Sequence, residues 1–266
     1  MGKDEMADMA LHIVVCIKAV VTKVPVKTYV RTAGSLELNS FDRPVLEAAL
    51  RLREIHGGTV TALTMGPEAS LSALYEAQAM GVDRVVLVCD SALAGSDTLA
   101  TAKALGAAIK KLMPFDLLFF GTRSSDSDTG QVGPQTAVLL DLPLVAGVHA
   151  IERQGSSVTV ERRADGFLEE YLFSLPGVLT IDPTSVQARD LKLSRLESAF
   201  RKRAEQRWGL SDLGLAPEEV GWTGSPTRVP SVKRVVKEKD CTYLSGSVAE
   251  QVARLVEQIK ASGVMD

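Results

Sequence analysis

The sequence predicts an α/β protein: a mainly parallel sheet with helices on both faces, an added β-hairpin or meander, and a C-terminal arm. Three observations predict it. Short β-branched apolar runs alternate with amphipathic stretches through the first 185 residues, the pattern of strand–helix–strand units with short connections. From 148 to 181 the pattern changes to two-residue alternation, which reads as antiparallel strands. After Pro183 the apolar periodicity weakens until a last amphipathic stretch.

Residues 11–17 (LHIVVCI) read as a strand buried on both faces, bounded by Lys18. Residues 44–55 place Val45, Ala48, Ala49 and Leu52 on one helical face, with Pro44 suited to a helix start. A strand at 59–65 ends at Gly66 and Pro67, and a helix at 68–80 is stopped by Gly81. Residues 84–88 are a third strand, 97–112 a helix with small residues on its packing face, and 116–120 a fourth strand. Gly121 then opens a polar loop before a helix containing 136–140. Residues 148–181, with a turn at Gly155 and Ser156, form the hairpin or meander. Residues 195–209 read as a basic helix and 249–263 as an amphipathic one, with a Gly- and Pro-rich stretch between them. The expected partition is a flexible N-terminus (1–10), the α/β domain (11–185), a recognition loop, helix and linker (186–228), and an arm (229–266). An arm with so little core of its own must pack on something, and a partner subunit is the natural candidate.

Composition narrows the function. The chain has 266 residues, 45% hydrophobic and 24% charged, with a formal net charge of −3, which excludes disordered and disulfide-scaffold classes. Cys16, Cys89 and Cys241 are an odd number and far apart, the usage of a reducing compartment. His12, His56 and His149 stand at no metal spacing, so no metal is expected. No apolar run approaches the roughly 18 residues of a membrane span. The acidic start MGKDEMADMA lacks the apolar core of a secretory signal, so a cytoplasmic protein is expected. Mild acidity and 5% aromatics give no footprint for nucleic acid.

In a parallel sheet ligands bind at the carboxyl ends of the strands. That directs attention to the loops after the first four strands, and above all to GTRSSDSDTGQVGPQTA (121–137). It leaves a strand and runs into a helix, whose first N–H groups and dipole favour an anion. Gly130 and Gly133 would let the backbone approach a phosphate, while Ser127, Asp128 and Thr129 can cap a helix. An ordinary capped loop has the same composition. The stretch is neither a Walker loop nor the GxGxxG fingerprint. A second hydroxyl-rich helix start, GSDTLAT (95–101), lies at the next junction, where Asp97 or Ser96 could simply cap. Together the two suggest a nucleotide with its phosphates between them. No catalytic constellation accompanies them: His12 and His149 fall inside strands, and Asp126 with Asp128 are more simply caps than an acid/base pair. Redox chemistry here would have to come from a cofactor.

Several stretches carry a family likeness. LHIVVCIKAV, LNSFDRPVLEAALRLRE, TMGPEASLSALYEAQAMGVDRVVLV, DSDTGQVGPQTA, RADGFLEEYLFSLPGVLTID and SPTRV resemble, in order, the beta subunit of electron transfer flavoproteins. The resemblance covers nearly the whole chain from Leu11. It implies a heterodimer with a larger alpha subunit that holds an FAD, and a beta subunit that wraps a nucleotide of its own. That nucleotide is AMP in housekeeping members and a second FAD in members of the electron-bifurcating type. GSDTLAT and DSDTGQVGP resemble the second kind, so FAD is expected, with AMP the alternative. The implied cofactor contacts are Cys16, Asn39, Phe41, Asp42, Met65, Gly66, Asp97, Thr98, Thr101, Gly121, Arg123, Ser124, Asp126, Asp128, Thr129, Gly130, Gln131, Val132, Gly133 and Pro134. Asp97 and Thr98 would take the phosphate–ribityl portion. Members of the bifurcating type read Lys-Gln-Val-Pro-Asp after the first strand, whereas this chain reads Lys18-Ala19-Val20-Val21-Thr22. The resemblance therefore implies FAD more firmly than bifurcation.

The family also docks on dehydrogenases, acyl-CoA dehydrogenases among them, through an inserted leucine. The matching loop is ARDLKLSRLES (188–198), with Leu193 at the anchor position and Arg189, Lys192 and Arg195 as steering charges. Leu193 packed on its own helix is the plainer alternative. An adenine-nucleotide sensor of the stress-protein type would share the strand-edge site but needs neither the basic loop, nor SPTRV, nor the C-terminal helix.

Overall fold

The computed structural model describes residues 10–21, 36–228, 231 and 241–264. The expected N-terminal segment up to residue 9, together with Thr22 and Val229, lies outside the described residues.

The first strand, β1 (Leu11–Cys16), is followed by a small antiparallel pair, β2 (Ala19–Val21) and β3 (Leu36–Leu38). Next come α1 (Asp42–His56), β4 (Gly58–Met65), a 3-10 turn (Glu68–Ser70) leading into α2 (Leu71–Met80), and β5 (Arg84–Val88). Then follow α3 (Thr98–Lys111), β6 (Leu117–Gly121) and α4 (Val132–Leu140). The strands β7 (Leu144–Gln154), β8 (Ser157–Ala164) and β9 (Phe167–Ser174) form an antiparallel meander, after which β10 (Gly177–Ile181) returns to the sheet. The sheet has nine strands in the order β11-β5-β4-β1-β6-β10-β7-β8-β9, where β11 is Gln206–Trp208. Strands β11 to β7 are parallel neighbours.

The continuous apolar runs of β1, β4, β5 and β6 follow from cover on both faces. Ile13, Val15, Phe119 and Leu179 pack beneath Val45, Leu46 and Leu50 of α1 and Leu74 of α2. Val14, Cys16, Leu118 and Phe120 face Ala104, Leu105 and Ile109 of α3 and Ala137 of α4. The expected α/β class is thus the one observed, as is the meander.

Three element readings change. Residues 177–181 belong to the parallel sheet, inserted between β6 and β7, because a fully buried GVLTI shows no alternation. The first helix begins at Asp42, two residues before Pro44. The basic stretch 195–209 is not one helix. The helix α5 (Leu193–Lys202) ends where Arg203 adopts left-handed backbone (φ 43°), and β11 then pairs with β5. Three residues are too few for periodicity to announce a strand.

Beyond β11 the chain continues through the short helices α6 (Leu210–Leu213) and α7 (Gly221–Gly224). Leu210 and Val220 are buried in the core beneath α3, and the compact body runs to Arg228. The second unit, Val229–Asp266, contains α8 (Val248–Ala261), started by a reciprocal Ser247–Glu250 capping box. Taken by itself, α8 carries an apolar stripe of Val252, Leu255, Val256 and Ile259.

Leu210 should matter to the α/β body as a core residue does. Leu210→Ala is expected to destabilise it by about 2–5 kcal/mol, read as a lower urea midpoint at unchanged slope. A loosely attached linker there would leave the midpoint where it is.

Candidate functional site

From β1 the chain moves outward to β4 and β5 in one direction, then crosses to β6 and β10 on the other side of β1. The strand order therefore reverses between β1 and β6, and the crevice at their carboxyl ends is where such a sheet accepts a ligand. Cys16 lies level with Phe120 on one side and Leu63 on the other. The residues that follow these three strands meet at one edge.

Lys18 joins the pieces. Its main-chain N–H donates to Asp42 Oδ2 (2.7 Å), and its carbonyl accepts from Asn39 N–H (2.9 Å). Its ammonium reaches across the crevice to Asp126 Oδ1 (2.7 Å), Ser127 Oγ (3.1 Å) and Ser124 Oγ (3.3 Å). Asn39 adds two bonds to the same loop, donating to the Arg123 carbonyl (3.1 Å) and accepting from Ser125 N–H (3.2 Å). The Arg123 guanidinium lies over the Phe41 ring at 4.7 Å and 3.5 Å from Asp128 Oδ1. Asn39, Phe41, Asp42, Arg123, Ser124, Asp126 and Asp128 are thus brought together as expected from the sequence. Lys18 was missed: as the boundary of a strand it carried no signal of a partner 108 residues away.

Asp42 and Cys16 are buried beneath this junction. Burial pushes the Asp42 carboxyl up, to about 7, against the Lys18 N–H, the Asn39 side chain and the Lys18 charge, which all work to lower it. Burial first, and the Asp42 carboxylate second, push the Cys16 thiol up, so Cys16 serves as packing and not as a thiolate. Gly121 is fixed by the same contact: a Cβ there would stand 2.4 Å from Asp42 Oδ1.

The start of α4 is open. No side chain caps it, and the loop before it, from Ser127 through Gln131, is exposed. The loop turns inward through left-handed backbone at Asp128 (φ 52°) and Gly130 (φ 63°). First-turn N–H groups of a helix lack internal partners and attract anions; in α4 these are the N–H groups of Val132 and Gly133, since Pro134 has none. Gly133 also carries a packing constraint. It is buried, and a Cβ there would press on Phe120 and Thr180 at 3.2 Å, so its glycine serves the packing of α4 on the sheet. Pro134 is the third residue of α4, half-buried.

The second helix start lies alongside, with Thr98 Oγ1 donating to Gln131 Oε1 (3.1 Å). Asp97 caps α3 by accepting Ala100 N–H (2.9 Å) and also accepts Thr227 N–H (3.0 Å). Burial works to raise its carboxyl, but those N–H bonds hold it below the usual range. An ionised carboxylate repels phosphate and accepts from hydroxyls, so this corner suits polyol oxygens and the α4 start suits phosphate. Ser225 supports it, accepting Asp97 N–H (2.8 Å) and donating to the Gly221 carbonyl (2.6 Å). Thr101 is half-buried one turn into α3. Met65 and Gly66 close the far side at the end of β4, where Gly66 N–H donates to the Val88 carbonyl (3.0 Å).

The recognition loop lies apart from this edge. Leu193, 83% exposed, is the first residue of α5 and is not packed on its own helix. Lys192 and Arg195 are exposed beside it, whereas Arg189 is engaged by Glu47 and Glu54.

Fold and edge geometry define a doubly wound α/β protein with an uncapped helix start at its topological switch point. Comparison with known proteins sharpens that class. Residues 26–209 match the electron transfer flavoprotein domain. The chain is 37% identical over 239 residues to the electron transfer flavoprotein subunit beta of Thermoanaerobacterium thermosaccharolyticum, covering 90% of this chain and 92% of that one. It is 39% identical over 238 residues to protein FixA of Azorhizobium caulinodans, covering 84% of each. It is 32% identical over 263 residues to the caffeyl-CoA reductase–Etf complex subunit CarD of Acetobacterium woodii, covering 96% of this chain and all of that one. The chain belongs to the beta-subunit family of electron transfer flavoproteins, and its role is in electron transport as a flavoprotein component.

The buried Asp42 gives a pH signature. With its folded pKa raised from 3.8 to about 7, its protonated form is the one the fold favours. That contribution is complete below about pH 4 and is lost as pH rises through 7. Measured by urea unfolding, the stability of wild type relative to Asp42→Asn should decline between pH 4 and pH 8. A difference that stays flat or grows with pH would contradict the buried, desolvated carboxyl.

Proposed function

We propose that this chain is the beta subunit of a heterodimeric electron transfer flavoprotein whose strand-edge site holds FAD. In this reading it passes electrons between a dehydrogenase of the acyl-CoA type and a downstream acceptor, in the cytoplasm. The observation that carries the FAD reading is the pairing of two unlike helix starts across the Thr98–Gln131 bond. The uncapped start of α4 suits phosphate. The Asp97–Thr98 corner suits hydroxyl donors, which FAD offers along its ribityl chain. Bound FAD supplies the redox chemistry. The chain's own residues bind and orient it: the Val132 and Gly133 N–H groups toward the phosphates, Asp97 and Thr98 toward the polyol, and Lys18 with Asn39 in holding the loop closed.

The acyl-CoA type of partner is supported by the name of the Acetobacterium relative, a subunit of a caffeyl-CoA reductase–Etf complex. A second FAD would make bifurcation worth testing, although the residues after β1 depart from the pattern of that type. The adenine-nucleotide sensor weighed from the sequence leaves the exposed Leu193 without a purpose. The alpha subunit is the natural cover for the exposed Phe167, Leu168 and Leu172 of β9, and for the apolar stripe of α8.

The test is the cofactor content of the heterodimer made with its alpha subunit, by denaturing extraction and chromatography. Two FAD per heterodimer are expected. One FAD and one AMP would overturn the FAD reading of Asp97 and Thr98.

A further inference from the structure

Glu47 occupies an improbable place for a carboxylate. It sits on α1 among Val45, Leu46, Ala49 and Leu50, all buried, and its side chain is 3% exposed. An unpaired charge there would be strongly unfavourable, so its partners define what the position is for. Arg51, one turn on, donates from Nε to Oε1 (2.8 Å). The remaining partner is Arg189, from the loop between β10 and α5, which donates Nε (2.7 Å) and its main-chain N–H (3.2 Å) to Oε2, and Nη2 (3.3 Å) to Oε1.

The other side of the same guanidinium is held by Glu54, two turns along α1, at 2.8 Å from Nη1 and 3.3 Å from Nη2. All three guanidinium nitrogens of Arg189 are therefore engaged, and two carboxylates balance its charge. A residue so occupied is poorly suited to steer a distant partner. It fixes the main chain where its own N–H is held. Ala188 and Leu191 on either side pack against the core as half-buried apolar residues, contacts that set a depth without fixing a register.

Four residues after Arg189 stands Leu193, flanked by the exposed Lys192 and Arg195. After Leu193, α5 is held to α2: Ala199 is buried, the Phe200 ring meets Tyr75 edge-on at 4.9 Å, and Tyr75 OH donates to Glu205 (3.0 Å). The apolar knob thus stands between a fixed point on α1 and another on α2, with exposed cations at its base.

We propose that Glu47 and Glu54, acting through Arg189, are positioning residues that hold the loop presenting Leu193 in its docking conformation. The inference rests on the reading that Leu193 seats in a dehydrogenase. It reassigns Arg189 from contact to support and leaves the steering charge to Lys192 and Arg195. Its physical basis is preorganisation: a loop already ordered forfeits less freedom when a partner closes on it.

Two readouts test it on the heterodimer. The first is amide hydrogen exchange over 186–197 in Glu47→Gln, a change that keeps the volume and removes the charge. Exchange is expected to quicken roughly tenfold, the scale of one lost charged hydrogen bond, with Glu47→Asp falling between it and wild type. Should Glu47→Gln not fold, Glu54→Gln, at the exposed end of the pair, is expected to quicken the same segment. Unchanged exchange in these variants would overturn the proposal. The second readout is steady-state electron transfer from a purified acyl-CoA dehydrogenase reduced by butyryl-CoA. Glu47→Gln should raise the KM for the heterodimer with kcat unchanged, and equal KM values would overturn the docking role. If wild type itself takes no electrons from that enzyme, the docking reading fails, while the exchange experiment still decides whether the clamp holds the loop.

Discussion

The strand-edge site depends on one junction, the meeting of Lys18 and Asp42 at the end of β1. A buried polar group needs a hydrogen-bond partner, and here Asp42 Oδ2 accepts the Lys18 main-chain N–H at 2.7 Å. That bond turns the chain out of β1 and places the Lys18 ammonium over the crevice, where it takes hold of Asp126, Ser124 and Ser127. The loop after β6 is then pinned from below by Gly121, which clears Asp42 only because it lacks a Cβ, and from the side by Asn39. With the loop so held, the start of α4 is left uncapped and facing the edge. The openness of that helix start is a consequence of the arrangement more than of any single polar residue.

Charged groups order the chain at both functional regions. At the sheet edge, Asp97 accepts protein N–H groups and shapes the corner, across which the Thr98 hydroxyl donates to Gln131. In the recognition loop, Arg189 is held by two carboxylates while Leu193 protrudes. Charged residues with their partners at home, Asp97 and Arg189, order the chain, and the uncapped start of α4 and Leu193 are left open. Such a division suits a carrier, which must bind its cofactor firmly and release each partner protein.

Much of the fold was legible in the sequence because β1, β4, β5 and β6 are covered on both faces and read as unbroken apolar runs. The edge loops were legible for the same reason, since the rule that ligands sit at strand ends needs the strands alone. What escaped is long-range or short. Lys18 looked like the polar end of a strand, and Glu47 carried no signal at all, because their partners lie more than a hundred residues away. The strand β11 is three residues long and lacks room for a period. Gly133 carries a packing constraint the sequence did not announce, the closeness of Phe120 and Thr180. The linker expected within 186–228 contains buried residues, Leu210, Val220 and Ser225, spaced too widely to mark a helix or strand face.

The central claim is that the edge around Lys18 and the open start of α4 form the nucleotide site. Hydrogen exchange of the heterodimer, compared before and after its extractable nucleotide is removed, tests it most directly. The account predicts that removal deprotects 16–18, 39–42, 97–101 and 121–133 together, with the meander 144–174 unchanged. Deprotection confined to other parts of the chain, or none in 121–133, would contradict it.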